Sequence, residues 1–257
     1  MKVLLRVDSS IRIGTGHIMR CLTLAHALAK KGVEIVFICR DLEGNLIEKV
    51  KTSGFKVRVL ARPALTNRKV KKTAGVEKYL EWLEVEQEID ASQTADIISI
   101  EKPDWVVIDH YGIDEKWQTV ISKYDLKILV IDDLFNRKHI CDILVDQNYG
   151  SLREKYEDLV PKSCQLFCGP SYTLLRSEFK LQRSSSLKYR TTNSISTIIV
   201  SMGGVDEYNY TEKVIDALGD SRLVGKIKEV IILLGRHCPH KDSIRKAATL
   251  SPLNVNV

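Results

Sequence analysis

The sequence predicts an α/β fold: a parallel sheet covered by helices on both faces, followed by a second, shorter α/β unit. Three observations carry this prediction. Short, near-continuous runs of Val, Ile and Leu recur along the chain, segments with helical periodicity separate them, and after a polar stretch at Lys180–Ser194 the alternation starts again. Strands buried on both faces read as continuous apolar runs, and the helical crossovers that parallel pairing needs supply the cover.

Val3–Val7 is the first strand, and the polar, glycine-containing stretch Asp8–Gly16 is the loop behind it. Ile18, Cys21, Leu22, Ala25, Leu28 and Ala29 then fall on one helical stripe, closed by Lys30-Lys31-Gly32, which supplies last-turn cations and a terminating glycine. Glu34–Cys39 and Lys56–Leu60 read as strands, and Ala91–Glu101 as a helix capped by Asp90. Trp105–Ile108, entered just after Pro103, begins the next strand, and Lys127–Ile131 and Ile143–Val145 continue the series. In such sheets ligands bind beyond the carboxyl ends of the strands, here Asp8–Gly16, Asp109–Gly112 and Asp132–Phe135.

The Ser-, Thr-, Lys- and Arg-rich stretch is expected to be a linker or exposed hinge. It divides the chain into a domain over residues 1–180, a linker over 181–194 and a partial domain over 195–257. The second unit reads as a strand at Thr197–Val200, the turn Ser201-Met202-Gly203-Gly204, a helix around Thr211–Leu218 and a strand at Val230–Leu234. The sequence stops at Asn254-Val255-Asn256-Val257, inside what reads as another strand, so a truncated form of a longer protein is expected.

With 44% hydrophobic and 28% charged residues, the composition is that of a globular domain and excludes disorder, collagen and membrane spans. The net charge of +6 is scattered, and its densest run, Arg68, Lys69, Lys71 and Lys72, reads as a solvated loop. There is no zinc-finger spacing, RNP-like aromatic string or heptad zipper, so neither nucleic acid nor membrane is an expected partner. The six cysteines (21, 39, 141, 164, 168 and 238) are not regularly spaced, which points to mostly free thiols. His237, Cys238 and His240 read as a polar loop before a helix, and no metal site is expected. The apolar N-terminal stretch is interrupted by Arg6 and is too short for a signal peptide. A monomer in a reducing cytoplasm is the expectation.

Gly14-Thr15-Gly16-His17 sits where a strand passes into a helix, so unpaired N–H groups and the positive end of the helix dipole face the site. A dinucleotide fingerprint needs a third glycine where Met19 stands, and no GxxxxGK[ST] occurs, so NAD and P-loop ATP are excluded. A helix N-terminus disfavours the imidazolium, which places His17 like a general base; the alternative is a capping or surface histidine. His26 reads as packed or at the solvent edge, and His110 and His139 have no deducible partner. Ser201-Met202-Gly203-Gly204 repeats the strand–glycine–helix logic, with a plain turn as its alternative.

Five segments occur in a familiar order: Asp8-Ser9-Ser10 through Ile13-Gly14-Thr15-Gly16-His17-Ile18-Met19-Arg20-Cys21-Leu22; Ile108-Asp109-His110-Tyr111-Gly112-Ile113; Cys141-Asp142-Ile143-Leu144; Cys168-Gly169-Pro170-Ser171-Tyr172-Thr173-Leu174-Leu175-Arg176; and Met202-Gly203-Gly204. Trp82-Leu83, Gln87-Glu88 and Asp90 add to them. The chain resembles the PseG family, the UDP-sugar hydrolases of pseudaminic acid biosynthesis. The resemblance implies a GT-B-like fold similar to MurG-type glycosyltransferases, with two Rossmann-like domains facing across a cleft and the second incomplete here. It implies hydrolysis of UDP-2,4-diacetamido-2,4,6-trideoxy-β-L-altropyranose to UDP and the free sugar, with inversion and without metal or cofactor. It places the catalytic base at His17 and the sugar site at Tyr111. Gly14, Gly16, Asp109 and Arg176 are expected on the substrate, and the N–H groups of Gly203 and Gly204 on the diphosphate.

The chemistry is coherent with this. An ordinary glycosidase needs two carboxyl groups, and no such pair is evident. UDP is already a good leaving group, so one base that deprotonates water suffices if donors stabilise the diphosphate. A glycosyltransferase using a UDP-sugar donor, or a noncatalytic nucleotide-sugar-binding protein, is the alternative. The family continues past this endpoint with elements that help hold the nucleotide, so weak or absent UDP affinity is expected of the chain as given.

Overall fold

The first apolar run forms β1 (Lys2–Val7). In order follow α1 (Gly16–Ala29), β2 (Glu34–Arg40), α2 (Ile47–Thr52), β3 (Lys56–Leu60), α3 (Glu77–Leu80) running into a tight turn at Glu81–Leu83, α4 (Gln87–Glu101), β4 (Trp105–Asp109), α5 (Glu115–Ile121), β5 (Lys127–Ile131), β6 (Ile143–Asp146) and β7 (Gln165–Cys168). The computed structural model describes residues 1–62, 77–192, 194–219, 225–235 and 238–257, with the backbone alone at 77, 78 and 192. The basic run at 68–72 and His237 lie outside these. Two compact units emerge, Met1–Leu175 and Arg176–Val257. No helix among the described residues is long and apolar enough to cross a membrane.

In the first unit all seven strands are parallel, in the order β3-β2-β1-β4-β5-β6-β7. The chain winds one way from β1 to β3 and the other way from β4 onward, so the crevice between the carboxyl ends of β1 and β4 is the topological switch point. Alternation divides the core between the two faces. Val3, Leu5, Val7, Phe37 and Cys39 pack on the stripe of Ile18, Cys21, Leu22 and Ala25 of α1. Leu4, Val36, Ile38, Val106 and Ile108 face Leu83, Ala91, Ile98, Trp117 and Ile121 on the other side.

One charge interrupts that second face. Arg6 is fully buried in β1, between Asp8 (Nη1–Oδ1 2.7 Å, Nη2–Oδ2 2.8 Å) and Asp90 (Nε–Oδ1 3.0 Å, Nη2–Oδ2 2.7 Å). Asp90 also accepts from Arg40 Nη2 at 2.7 Å and from Trp117 Nε1 at 2.9 Å. This corrects the expected cap. The helix starts at Gln87 behind Glu86, so Asp90 lies inside its first turn, and its carboxylate is drawn to the sheet by two guanidinium groups. Burial alone would raise the pKa values of Asp8 and Asp90; Arg6 more than offsets it and both lie below the ordinary value.

At the opposite end of α4, Glu101 ties two strands together, meeting Lys2 of β1 at 3.1 Å and Lys56 and Arg58 of β3 at 2.6 Å each. The hydrogen bond from Lys56 does most to lower its pKa, from 4.5 to about 2, with Arg58 and Lys2 adding to it against the effect of burial.

The second unit contains α6 (Ser177–Thr192), β8 (Thr197–Val200), α7 (Tyr210–Leu218), β9 (Glu229–Ile232), α8 (Lys241–Leu250) and β10 (Val255–Asn256). Its strands are parallel in the order β10-β9-β8, the same winding as β3-β2-β1. Val200, Ile215, Val230, Ile232, Ile244 and Leu253 form its core. The polar stretch expected as a linker over 181–194 is helical through Thr192. Neither glycine nor proline interrupts Ser177–Thr192, and the described side chains from Ser177 to Thr191 are all exposed, so its polarity marks a solvated helix rather than a break.

Two measurements check these buried charges. Asp90→Ala strands two guanidinium groups and should lower the unfolding free energy by about 3–5 kcal/mol in urea titrations; a loss below 1 kcal/mol, on the order of a surface ion pair, contradicts the buried clamp. Because the Glu101 pKa is depressed on folding, its stabilisation is complete above 4.5 and lost as pH falls toward about 2. The stability gap between wild type and Glu101→Gln should therefore close across that interval, and a gap constant with pH contradicts the assignment.

Candidate active site at the switch point

The loop behind β1 is a tight structure that delivers one histidine. Ser10 Oγ accepts from the N–H groups of Arg12 and Ile13 at 3.2 and 3.0 Å, and Gly14 N–H donates back to Ser10 O at 2.8 Å. Gly14 has a φ of +81°, which a side chain would strain. Thr15 then takes the N-cap position of α1 without a capping hydrogen bond from its side chain, and His17 enters the first turn, 7% exposed. Gly16 is exposed beside it.

Asp109 ends β4 opposite Val7 of β1 and is fully buried directly against this turn. His17 Nδ1 lies 2.6 Å from Asp109 Oδ1. A buried carboxylate accepts only, so Nδ1 donates to it, and in the neutral ring Nε2 is the nitrogen with the free lone pair. Arg20, one turn on, grips the same carboxylate, Nε to Oδ2 at 2.6 Å and Nη2 to Oδ1 at 2.5 Å, and Cys21 Sγ reaches Oδ2 at 3.4 Å. Burial would raise the Asp109 pKa; His17 and Arg20 hold it below the ordinary carboxylate range.

Tyr111, two residues after Asp109, lies edge-on to His17 with ring centres 4.6 Å apart, and its hydroxyl donates to Asp133 Oδ1 at 2.5 Å. Burial and Asp133 push the phenol pKa up. Asp133 Oδ2 is 3.8 Å from Arg20 Nη1, so one guanidinium links the partners of His17 and of Tyr111. Trp82 stacks on Tyr111 at 5.4 Å and 28°, and stands 6.0 Å from His17; Tyr79 meets both Trp82 and Tyr111 edge-on at 5.0 and 5.3 Å. The histidine thus has an aromatic wall. Gly112 lets that wall close: a Cβ there would lie 2.6 Å from the Tyr79 carbonyl oxygen.

The structure brings His17, Gly14, Gly16, Asp109 and Tyr111 together. Asp109, expected on the substrate, lies beneath His17 with its acceptor positions taken by His17, Arg20 and Cys21. Arg176 starts the other unit, exposed, with its guanidinium 5.4 Å over the Phe179 ring. Gly203 and Gly204 also belong to that unit; Gly203 has a φ of +83°. There the first N–H groups of α7 are already used, since Asp206 Oδ1 and Oδ2 accept from Tyr210 and Thr211 at 2.8 and 3.0 Å. Arg20 and Tyr79 escaped the reading of the sequence. Arg20 had a usable signal, because position i+3 puts it on the helix face of His17. Of the other histidines, His26 packs on Phe55 at 4.9 Å, His110 Nδ1 accepts from Gly112 N–H at 3.0 Å, and His139 Nδ1 meets Gln118 Nε2 at 3.0 Å.

No family model matches the chain. It is 31% identical over 227 residues to the UDP-2,4-diacetamido-2,4,6-trideoxy-β-L-altropyranose hydrolase of Campylobacter jejuni, covering 87% of this chain and 68% of that protein. It is 30% identical over 225 residues to an uncharacterized protein of Methanocaldococcus jannaschii, covering 85% of this chain and 40% of that one. Among solved structures, MurG of Acinetobacter baumannii matches 99% of the chain and 66% of its own length with a TM-score of 0.56 at 12% identity. UGT89C1 of Arabidopsis thaliana, complexed with UDP, matches 100% and 70% with a TM-score of 0.58 at 13% identity. The fold is therefore that of the GT-B glycosyltransferases, and with a curated relative matched over most of both lengths, the chain belongs to the family of the UDP-2,4-diacetamido-2,4,6-trideoxy-β-L-altropyranose hydrolases.

Proposed function

We propose that this chain is a UDP-sugar hydrolase that cleaves UDP-2,4-diacetamido-2,4,6-trideoxy-β-L-altropyranose to UDP and the free sugar, a step in pseudaminic acid biosynthesis. One observation carries the reading: a histidine whose Nδ1 is fixed by a buried aspartate, leaving Nε2 as an acceptor inside an aromatic enclosure. The kinship with the Campylobacter jejuni hydrolase supplies the substrate class.

In this mechanism His17 Nε2 takes a proton from water, and the water oxygen forms a bond to the anomeric carbon. The bond from that carbon to the UDP oxygen breaks, its electron pair leaves with UDP, and a single displacement inverts the centre. Asp109 stabilises the imidazolium as it forms, and Arg20 keeps Asp109 ionised so that the carboxylate does not take the proton itself. Asp109 and Asp133, the carboxylates around His17, are held by Arg20, His17 and Tyr111, which leaves neither as the acid of a glycosidase pair. Leaving-group departure then rests on donors to the diphosphate, for which Gly203, Gly204 and Arg176 are the candidates. Tyr111, Trp82 and Tyr79 offer apolar ring faces to the sugar. The route calls for neither metal nor cofactor, and the enzyme works as a cytoplasmic monomer.

The test is UDP release followed by anion-exchange chromatography, with UDP-GlcNAc in parallel. Release from the altrose substrate should fall by about 100- to 10,000-fold in His17→Ala. Asp109→Asn should lose on the order of 100-fold or more in kcat by favouring the wrong tautomer. Wild-type turnover in His17→Ala removes the base from the mechanism, and product that appears only with an added acceptor assigns a glycosyltransferase instead.

A further inference from the structure

Cys141 and Cys164 are free thiols whose Sγ atoms lie 3.6 Å apart. The contact is set by the sheet, not by a loose loop. Cys141 enters β6 and Cys164 enters β7, two strands paired in parallel with Ile143 opposite Gln165. Gln165 N–H donates to Asp142 O at 2.8 Å, Asp142 N–H to Ile128 O at 2.9 Å, and Cys164 N–H to Pro161 O at 2.8 Å, so the backbone on both sides of the thiols is pinned. Cys141 is buried at 5% exposure while Cys164 is half-buried and within reach of solvent. Cys21, by contrast, is buried against the Asp109 carboxylate.

We propose that Cys141 and Cys164 form an oxidative modification site, at which hydrogen peroxide converts the two thiols into a reversible disulfide stapling β6 to β7. A disulfide has its sulfurs about 2.05 Å apart, a closure of roughly 1.5 Å that side-chain rotation supplies. Cys164, the more exposed of the two, is the sulfur oxidised first. The contact with Cys141 lowers the Cys164 pKa against the effect of burial, while that same contact, followed by burial, pushes Cys141 up. The Cys164 thiolate attacks the peroxide; a sulfur–oxygen bond forms, the oxygen–oxygen bond breaks, and hydroxide leaves. The Cys141 sulfur then attacks the sulfenic sulfur of Cys164. The sulfur–sulfur bond forms, the sulfur–oxygen bond breaks, and the departing hydroxide carries off the Cys141 proton as water. Two electrons have passed from the thiols to the peroxide.

The closed ring encloses β6 and the segment anchored by Tyr156, whose hydroxyl bonds Asp132 O at 3.1 Å and Asp146 Oδ2 at 3.0 Å. Both cysteines stand at the amino ends of their strands, whereas Asp109 ends β4 at its carboxyl end and His17 lies against it in the first turn of α1. The staple therefore restricts the unfolded chain and leaves the histidine in place.

The experiment treats the full chain with hydrogen peroxide and needs no substrate. Thiol titration in denaturant should fall from six groups to four, and non-reducing peptide mapping should show the Cys141 and Cys164 peptides linked, with dithiothreitol restoring both. The melting temperature should rise by several degrees on oxidation. Cys164→Ser, altered at the half-buried position, should fold, retain five thiols through the same treatment and show no rise. Cys141→Ser should leave Cys164 as a sulfenic acid that dimedone labels. Six surviving thiols, a link between other cysteines, or a melting temperature lowered by the link overturns the proposal.

Discussion

The ion pair on which the first unit depends is Arg6 between Asp8 and Asp90. A guanidinium near the carboxyl end of an interior strand, with no exposure, is tolerable only because two carboxylates meet it with four short hydrogen bonds. Each carboxylate fixes something else. Asp90 pulls the first turn of α4 onto the sheet and gathers Arg40 and Trp117 around itself. Asp8 accepts the backbone N–H of Arg40 at 2.7 Å and faces His110 Nε2 at 3.4 Å, so the ends of β1, β2 and β4 are held in common. The loop that carries His17 springs from that point.

From there the construction of the site is economical. The polar groups that address the Asp109 carboxylate, His17, Arg20 and Cys21, come from neighbouring turns of one helix, and the carboxylate comes from the next strand of the same sheet. The proposed proton chemistry rests on one helix and one strand that pack directly against each other. Tyr79 and Trp82 stand on a separate short helical segment, fastened beneath by fully buried Leu83.

The strands were legible because a sheet buried on both faces imposes a pattern that tertiary contacts reinforce: Val3–Val7, Lys56–Leu60, Lys127–Ile131 and Thr197–Val200 fold where their composition places them. The histidine was legible for a local reason, since a glycine turn entering a helix fixes its surroundings within a few residues. What escaped was set by distant partners. Asp90 has the chemistry of a cap, and Arg6 and Arg40, far away in sequence, turn it inward. Asp109 reads as a strand-end carboxylate facing a ligand until α1 is laid beside it. The polar run near Lys180 lacks an apolar stripe, so periodicity has nothing to register, although nothing in it opposes a helix. Tyr79 follows a stretch without a readable pattern, and its place in the site depends on packing against Tyr111.

The contact at Gly112 reaches further than a tight turn. Because a methyl group there would collide with the carbonyl oxygen of Tyr79 at 2.6 Å, the two segments meet main chain to main chain. Main chain is the least compressible material a protein has, and its position does not drift with rotamer changes. The separation between the aromatic panel and the strand that bears Asp109 is thereby gauged by a missing side chain. The spacing of that panel from His17 is therefore a property of the backbone before it is one of any side chain.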